Sequence, residues 1–343
     1  MSTSPSTDHS RDLNGERMLV SLLKEVCAAR GIRLTSFSDD WVFCLQHEAR
    51  TAYVVGFDFG VNNATAKMLA KDKSATSDLL AFHGVPRVEH RLFHSPELAA
   101  YVPLEGSWRP MLAYFEACGH DLVCKPNEGT GGRLVLRARS ALELEAAVLR
   151  ILKVSRSVCL SPFEPIGDEY RVAVLRGVVQ FAYRKERPAL IGDGVRSLRR
   201  LVTEKLEIQP DFAAAAQRLA DLAEMKLDFD HVPAQGERVE LNWRHNLGQG
   251  AEPELLDGEN PRFHEVCAVA LAAAGALGID LASVDVVDAG GTLKILEINS
   301  GIMMESLVRS LPGGRALATR FYDRIVCASL DLSAADEPGE GAS

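Results

Sequence analysis

The chain has 343 residues, 47% apolar and 25% charged, an ordinary balance for a soluble globular protein and long enough for two or three compact subdomains. A formal net charge of -9 argues against a general nucleic-acid binder, which needs concentrated Lys and Arg, and no run reaches the about 18 apolar residues of a membrane span. Seven cysteines without a CxxC spacing read as a reduced, cytoplasmic chain with no thiolate zinc site.

Residues 1–15, rich in Ser, Thr and Asp, lack the apolar core of a signal peptide and read as a disordered tail, as do residues 333–343. An amphipathic helix is expected from Glu16 to Arg30, then strands around Trp41 to Gln46 and Thr51 to Phe57. Helices follow from Asn63 to about Ala70 and from Lys71 to Phe82, the second stopped by Gly84 and Pro86. The strand-like runs Leu122 to Lys125 and Leu134 to Leu136 flank the loop Asn127-Glu-Gly-Thr-Gly-Gly132 and read as a hairpin. Ser140 and Glu143 form a capping box for a helix to residue 152.

Strands are expected at Val158 to Leu160, Tyr170 to Leu175 and Val178 to Tyr183, with Arg176-Gly177 turning the last pair. A helix near Leu198 to Leu206 precedes an Ala-rich stretch to about Lys226. Asn260 caps a helix with Pro261 in its first turn, ended by Gly275 and Gly278. The strands Ala282 to Val287 and Thr292 to Ile298 close the series. The mixture gives an α/β (α+β) class.

Chemistry concentrates in that last pair. Glu297 and Asn299, two apart on a strand, point to one face, and their oxygens suit Mg2+ better than zinc. A three-residue loop, Ala289-Gly290-Gly291, sets Asp285 opposite Ile295 and adds it to the same face. A carboxylate inside the apolar run Ser283-Val-Asp-Val-Val287 is costly to bury unless paired or bound to metal, whereas alone each acid also reads as a strand-edge charge. Lys125, ending an apolar strand before a glycine loop, offers an ammonium and backbone N–H groups to phosphate, although the spacing is no Walker motif and alone reads as a hairpin tip.

Seven segments in order resemble the ATP-grasp ligases, in the branch of the ribosomal-protein S6 glutamate ligases, cyanophycin synthetase and the ligase domain of bifunctional glutathione synthetases. They are Asn62 to Lys67 leading into Asp72-Lys73 and Gly84-Val-Pro86; Val123 to Gly132; Gly167-Asp-Glu-Tyr-Arg171; Gly192-Asp-Gly194; Trp243 to Leu247; Ser283-Val-Asp285; and Leu296 to Asn299. The resemblance covers roughly residues 60 to 330 and implies an ATP-grasp fold. On it, an N-terminal α/β unit (16–70) precedes a lid subdomain with its leading linker (71–162) and a C-terminal subdomain (163–332) that together clasp ATP.

The same resemblance implies roles. Lys73 and Lys125 match the lysines on ATP phosphates, Gly129, Thr130, Gly131 and Gly132 the lid loop, and Glu169 the acid on the ribose. Asp285, Glu297 and Asn299 match ligands of two Mg2+ ions, with Mn2+ as the alternative ion. Arg244 and Asn246 match an Arg-x-Asn-Leu element at the transferred phosphate, and Lys185 stands where an arginine is common. Ser161-Pro162-Phe163 replace a Glu-bearing adenine hinge, leaving backbone atoms of Leu160, Ser161 and Phe163 to meet the base and the preference for ATP unfixed by side chains there.

The implied reaction is ADP-forming ligation of a carboxylate to an amine through an acyl phosphate, on an amino acid or peptide, with a homodimer as a family-level expectation and neither nucleic acid nor membrane as partner. Addition of amino acids to a protein tail and a non-catalytic ATP-binding module stand as the alternatives. Residues Ser300 to Glu305 are expected to line the acceptor pocket.

Overall fold

The computed structural model describes residues 17–95, 108–129, 131–132, 134–207, 222, 225–247 and 250–332. Helix α1 (Met18–Ala29) spaces its apolar residues for one buried face, with Leu19, Leu22, Leu23 and Val26 in the core. Strands β1 (Arg33–Phe37), β2 (Val42–His47) and β3 (Arg50–Val55) form an antiparallel meander. β2 and β3 match the expected strands; β1 is additional, and its mostly exposed residues lack the alternation that marks a half-buried strand.

Asp72 divides the next segment. It closes α2 (Ala64–Lys71) and caps α3 (Lys73–Phe82), accepting a hydrogen bond from Ala75 N–H at 2.9 Å. Strands β4 (Arg91–His94), β5 (Leu122–Pro126), β6 (Leu136–Ala138) and β7 (Ser157–Pro162) form an antiparallel sheet in the order β4-β7-β5-β6, covered on one face by α4 (Trp108–Ala117) and α5 (Ala141–Leu152). Half of the expected capping box of α5 is present: Ser140 Oγ accepts from Glu143 N–H at 3.2 Å, but the Glu143 carboxylate accepts from the N–H of Arg139, one residue before the cap, at 2.6 Å.

Strands β8 (Ile166–Leu175) and β9 (Val178–Glu186) turn through Arg176 and Gly177, both at positive φ. Then come β10 (Ala189–Ile191), α6 (Leu198–Glu207), β11 (Arg238–Glu240), β12 (Glu252–Leu256) and α7 (Phe263–Leu277). The start of α7 differs from expectation. Asn260 Oδ1 accepts from Arg262 N–H at 2.9 Å in a local turn, so the helix begins at Phe263 without a side-chain cap. Gly275 lies inside the helix, and Gly278 closes it in the left-handed region.

β13 (Leu281–Ala289) and β14 (Thr292–Asn299) form the final hairpin, followed by α8 (Glu305–Ser310) and α9 (Gly314–Ser329). The hairpin register corrects the sequence expectation. Ala289 pairs with Thr292, so the turn is the two residues Gly290-Gly291, both at positive φ. That turn alone would set Asp285 opposite Leu296 and send Glu297 to the other face. A bulge between Asp285 and Val286 absorbs one residue, and Asp285 lies opposite Glu297 instead of Ile295.

The chain divides into two compact units. One comprises Met1–Leu22, Arg184–Glu254 and Met304–Ala318; the other comprises Leu23–Tyr183, Leu255–Met303 and Thr319–Ser343. The larger holds the β4-β7-β5-β6 sheet and the strands β8, β13 and β14 of a second sheet in the order β12-β9-β8-β13-β14. The second sheet packs Val172, Val284, Val286 and Ile298 against the small residues Ala270, Ala273 and Ala274 of α7. In the smaller unit the β10-β11 pair and α6 share a modest core of Leu198, Val202 and Leu222.

Candidate functional site

In the larger unit, strand alternation gives the second sheet one apolar and one charged face. Ser283 opposes Asn299 and Asp285 opposes Glu297 on β14, while Arg171 opposes Asp285 and Glu169 opposes Val287 on β8. Glu169, Arg171, Asp285, Glu297 and Asn299 therefore share one face. Asp285 is 2% exposed, and its carboxylate is held by a two-pronged pair from Arg171, Nε and Nη2 each at 2.7 Å. Burial works against the Arg171 charge, but Asp285 outweighs it and pushes the guanidinium further toward its protonated form. Asn299 Nδ2 donates to Glu297 Oε1 at 3.2 Å.

These donors fit Mg2+. Two carboxylates and an amide oxygen make a hard, all-oxygen set, and a carboxylate keeps lone pairs beyond the two that an arginine fork occupies. Among the described residues no cluster of three or more His, Cys, Asp or Glu side chains is placed to hold a metal, so the third donor here is the amide.

The first sheet also has two faces. Leu122, Cys124, Val158 and Leu160 fill the core under α4 and α5. Lys125, Cys159 and Leu92 form one rung on the opposite face. Lys125 is 6% exposed; burial lowers its pKa, with Cys159, Glu297 and Glu169 pulling the other way. The Cys159 thiol is pushed up to about 11 by burial, against the pull of Lys125.

Lys73 reaches the same region from the start of α3. Its Nζ donates to the carbonyl of Gly129 at 3.1 Å, and its backbone N–H to the Asn127 carbonyl at 3.4 Å. Asn127 Oδ1 accepts from Ser74 N–H at 3.2 Å, and its amide also bonds Asp72. Burial raises the pKa of the Asp72 carboxyl, but these bonds and those from the α3 backbone carry it below the ordinary value. Asn127 thus ties the end of β5 to the start of α3 and brings Lys73 to the glycine loop. In that loop Gly131 and Gly132 have φ of 74° and 69°, which side-chain-bearing residues rarely adopt, and Thr130 lies outside the described residues.

At the expected adenine hinge, the Leu160 side chain is in the core and its backbone stands in a central strand between Cys124 and Arg91. Phe163 N–H is committed to the Asp121 carbonyl at 3.0 Å, with the Arg137 guanidinium over its ring at 3.3 Å. Of the hinge residues named from sequence, Ser161, opposite Val123, lies on the Lys125 face, as does Phe163 under Arg137, which also pairs with Val123.

Lys185, Arg244 and Asn246 fall in the smaller unit. Lys185 and Arg244 are buried, and Arg244 N–H donates to Asn242 Oδ1 at 3.0 Å. The neighbouring Arg187 donates from Nε to His245 Nε2 at 3.1 Å and pairs with Glu240 at 2.6 Å, which concentrates cationic groups around residues 242–246. Glu305 begins α8 and is buried, also in this unit.

Sequence reasoning missed Arg171 as the partner of Asp285, Asn127 as a clamp, and His90. It also left Asn62 unexplained. That side chain is scaffold: Oδ1 accepts from Leu281 N–H at 2.7 Å and Nδ2 donates to the Leu281 carbonyl at 2.7 Å, fixing the start of β13. An Asp on β13 and an Arg on β8, five strands earlier, make no motif, so only the pairing register reveals the first of these.

No family model matches the chain. It is 26% identical over 265 residues to a cyanophycin synthetase of Trichormus variabilis, covering 72% of this chain and 27% of that protein. The chain therefore spans about a quarter of the length of that relative. In fold it is similar to a bifunctional glutathione synthetase from Pasteurella multocida (TM-score 0.53, 17% identity, 89% of this chain and 44% of that one). It is also similar to a D-alanine–D-alanine ligase from Bacillus anthracis complexed with ATP (TM-score 0.50, 15% identity, 79% and 69%). No helix among the described residues is long and apolar enough to cross a membrane.

Proposed function

We propose, from the premise that the chain belongs to the ATP-grasp ligase superfamily, that it uses ATP to join a carboxylate to an amine, releasing ADP and phosphate. The observation that carries this reading is the single sheet face bearing Glu169, Asp285, Glu297 and Asn299, with Lys125 close enough for Glu297 and Glu169 to raise its proton affinity. An anionic triphosphate with its cations needs such a pairing of acids and a buried ammonium. The ATP complex of the similar B. anthracis ligase supports the choice of nucleotide.

Mg2+, when bound, neutralises phosphate charge and polarises the transferred group, and Asp285, Glu297 and Asn299 are the residues that would hold two such ions, or Mn2+ in their place. Lys73 and Lys125 bind phosphate oxygens, and Glu169 takes the ribose hydroxyls. The loop from Gly129 through Thr130 to Gly131 and Gly132 covers the phosphates with backbone N–H groups and excludes water from the activated acyl group. Lys185, Arg244 and Asn246, in the smaller unit, match by resemblance the residues that offset charge on an acyl phosphate and on the tetrahedral adduct that the amine forms. The carboxylate and the amine are small molecules of the amino-acid or peptide class, and the reaction is cytoplasmic.

Release of ADP from ATP, screened over amino acids supplied in pairs, tests the reading: release that requires one carboxylate and one amine supports it. Release that requires a macromolecular acceptor would favour the protein-tail ligase, and nucleotide-dependent melting shifts without release under any pairing would favour a binding module.

A further inference from the structure

We infer that His90 is the residue that selects the base of the nucleotide, its Nε2 accepting a hydrogen bond from the exocyclic amine of a 6-aminopurine. The inference rests on the ATP-using reading above. His90 is 4% exposed, and its backbone N–H donates to Ser77 Oγ at 3.2 Å. Nδ1 lies 2.9 Å from the Val88 carbonyl, an acceptor only, so Nδ1 carries the ring proton and Nε2 presents a lone pair. That Nε2 is buried and has no hydrogen-bond partner. Leaving such an acceptor unmade costs about 1–3 kcal/mol in general, a cost that a bound donor removes.

Its position identifies the donor. His90 immediately precedes β4, in which Arg91 and Phe93 turn toward the core and Leu92 stands in the rung of Cys159 and Lys125. Alternation therefore puts His90 on the Lys125 face, one step beyond Arg91 and next to Ser161, since Arg91 pairs with Leu160. This is the hinge where the Leu160 side chain is in the core and Phe163 N–H is committed to Asp121. Burial, then Lys125, with Lys73 and Arg87 adding to them, holds the imidazole neutral, so it accepts and does not compete with the lysines for phosphate. A purine with an amino group at position 6 supplies the N–H that this site lacks.

The test measures binding of two Mg2+ complexes to the full chain, ATP and purine riboside 5′-triphosphate, which has hydrogen in place of the 6-amino group, by calorimetry or melting shift. The wild-type chain is expected to bind ATP about five- to tenfold more tightly than the analogue, the range a single buried hydrogen bond supplies. His90→Leu should bring that ratio to about one by weakening ATP alone, while His90→Gln, whose amide oxygen stands near the place of Nε2, should keep most of it. A wild-type ratio of about one overturns the inference without any variant. Equal weakening of both nucleotides by His90→Leu overturns it too and assigns Nε2 to the Lys125 ammonium. If the wild-type chain binds neither nucleotide, the ligase reading falls with it; if it binds ATP but does not distinguish the analogue, only the role of His90 falls.

Discussion

The two sheets of the larger unit are built alike and charged oppositely. Each buries one face under helices and keeps polar side chains on the other, yet the β8-β13-β14 face gathers Glu169, Asp285 and Glu297 around one arginine, while the β4-β7-β5 face carries Lys125 beside the neutral groups Cys159, Ser161 and His90. The first is a surface that wants cations, and the second is one that wants an anion. The acidic face answers part of its own demand by spending Arg171 on Asp285, whereas the cationic face pairs its Asp121 with Arg137 and sets neutral side chains in the rung of Lys125. A nucleotide triphosphate with divalent ions satisfies both demands together, which neither sheet does alone.

The contrast can be broken from either side. The largest effect expected is from Glu297→Gln, which removes one of the two carboxylate charges available to the metals: ADP formation should fall by about a thousandfold, equivalent to about 4 kcal/mol, with an unchanged circular-dichroism spectrum. Normal turnover at saturating Mg2+ would remove the metal role from this face. Next, Arg171→Leu strands the Asp285 carboxylate, and a loss of about 3 kcal/mol in denaturant unfolding is expected. Millimolar Mg2+ should restore more stability to this variant than to wild type, because the ion takes over the arginine's charge; equal Mg2+ effects on both would separate Arg171 from the metal site.

On the cationic side, Asn127→Ala releases Ser74 N–H and one bond to Asp72, with an expected cost of about 1–2 kcal/mol and weaker ATP binding as Lys73 loses its anchor. Calorimetric affinities that stay at the wild-type value would show that α3 holds Lys73 unaided. The smallest effect is in pH. The His90 pKa lies well below its ordinary 6.5, so the unfolded chain binds the extra proton first; the stability is full above about 6.5 and is lost as pH falls toward the folded value. Over about one unit below 6.5 the slope from this group is at most about 1.4 kcal/mol per pH unit, and subtracting the His90→Gln profile from wild type isolates it. Superimposable profiles would mean the imidazole is not held neutral.

Local signals carried much of this fold. The Ser140 cap, the Arg176-Gly177 turn and the apolar run of β13 each depend on residues within a few positions, and each stands where expected, while Asn63, expected as the first residue of a helix, caps it instead. Asn260 failed as a cap because its side chain satisfied a nearer N–H, a competition between two local structures that the sequence leaves undecided. Arg171 with Asp285 and Asn127 with Ser74 are contacts of 114 and 53 residues' separation, and no periodicity points across such distances. His90 stands in sequence between Glu89 and Arg91 with no pattern to single it out. Only the strand beside it shows which way it faces. Asp285, Glu297 and Asn299 were legible as one face even though the register expected for them differed, because two departures, a shorter turn and an extra residue, cancelled.

That cancellation makes the hairpin tolerant of one kind of change and intolerant of another. Substituting Leu296, which pairs with no residue of β13, leaves the count intact. Deleting it would remove the bulge and keep the pairing, since Glu297 would take the position that the two-residue turn gives Leu296, opposite Asp285, whereas deleting Val286 from β13 would turn Asp285 toward α7. Length variation among natural or engineered versions of this hairpin should therefore fall at the bulge in β14 or at Gly290-Gly291, and spare the run of β13 from Asp285 to Ala289.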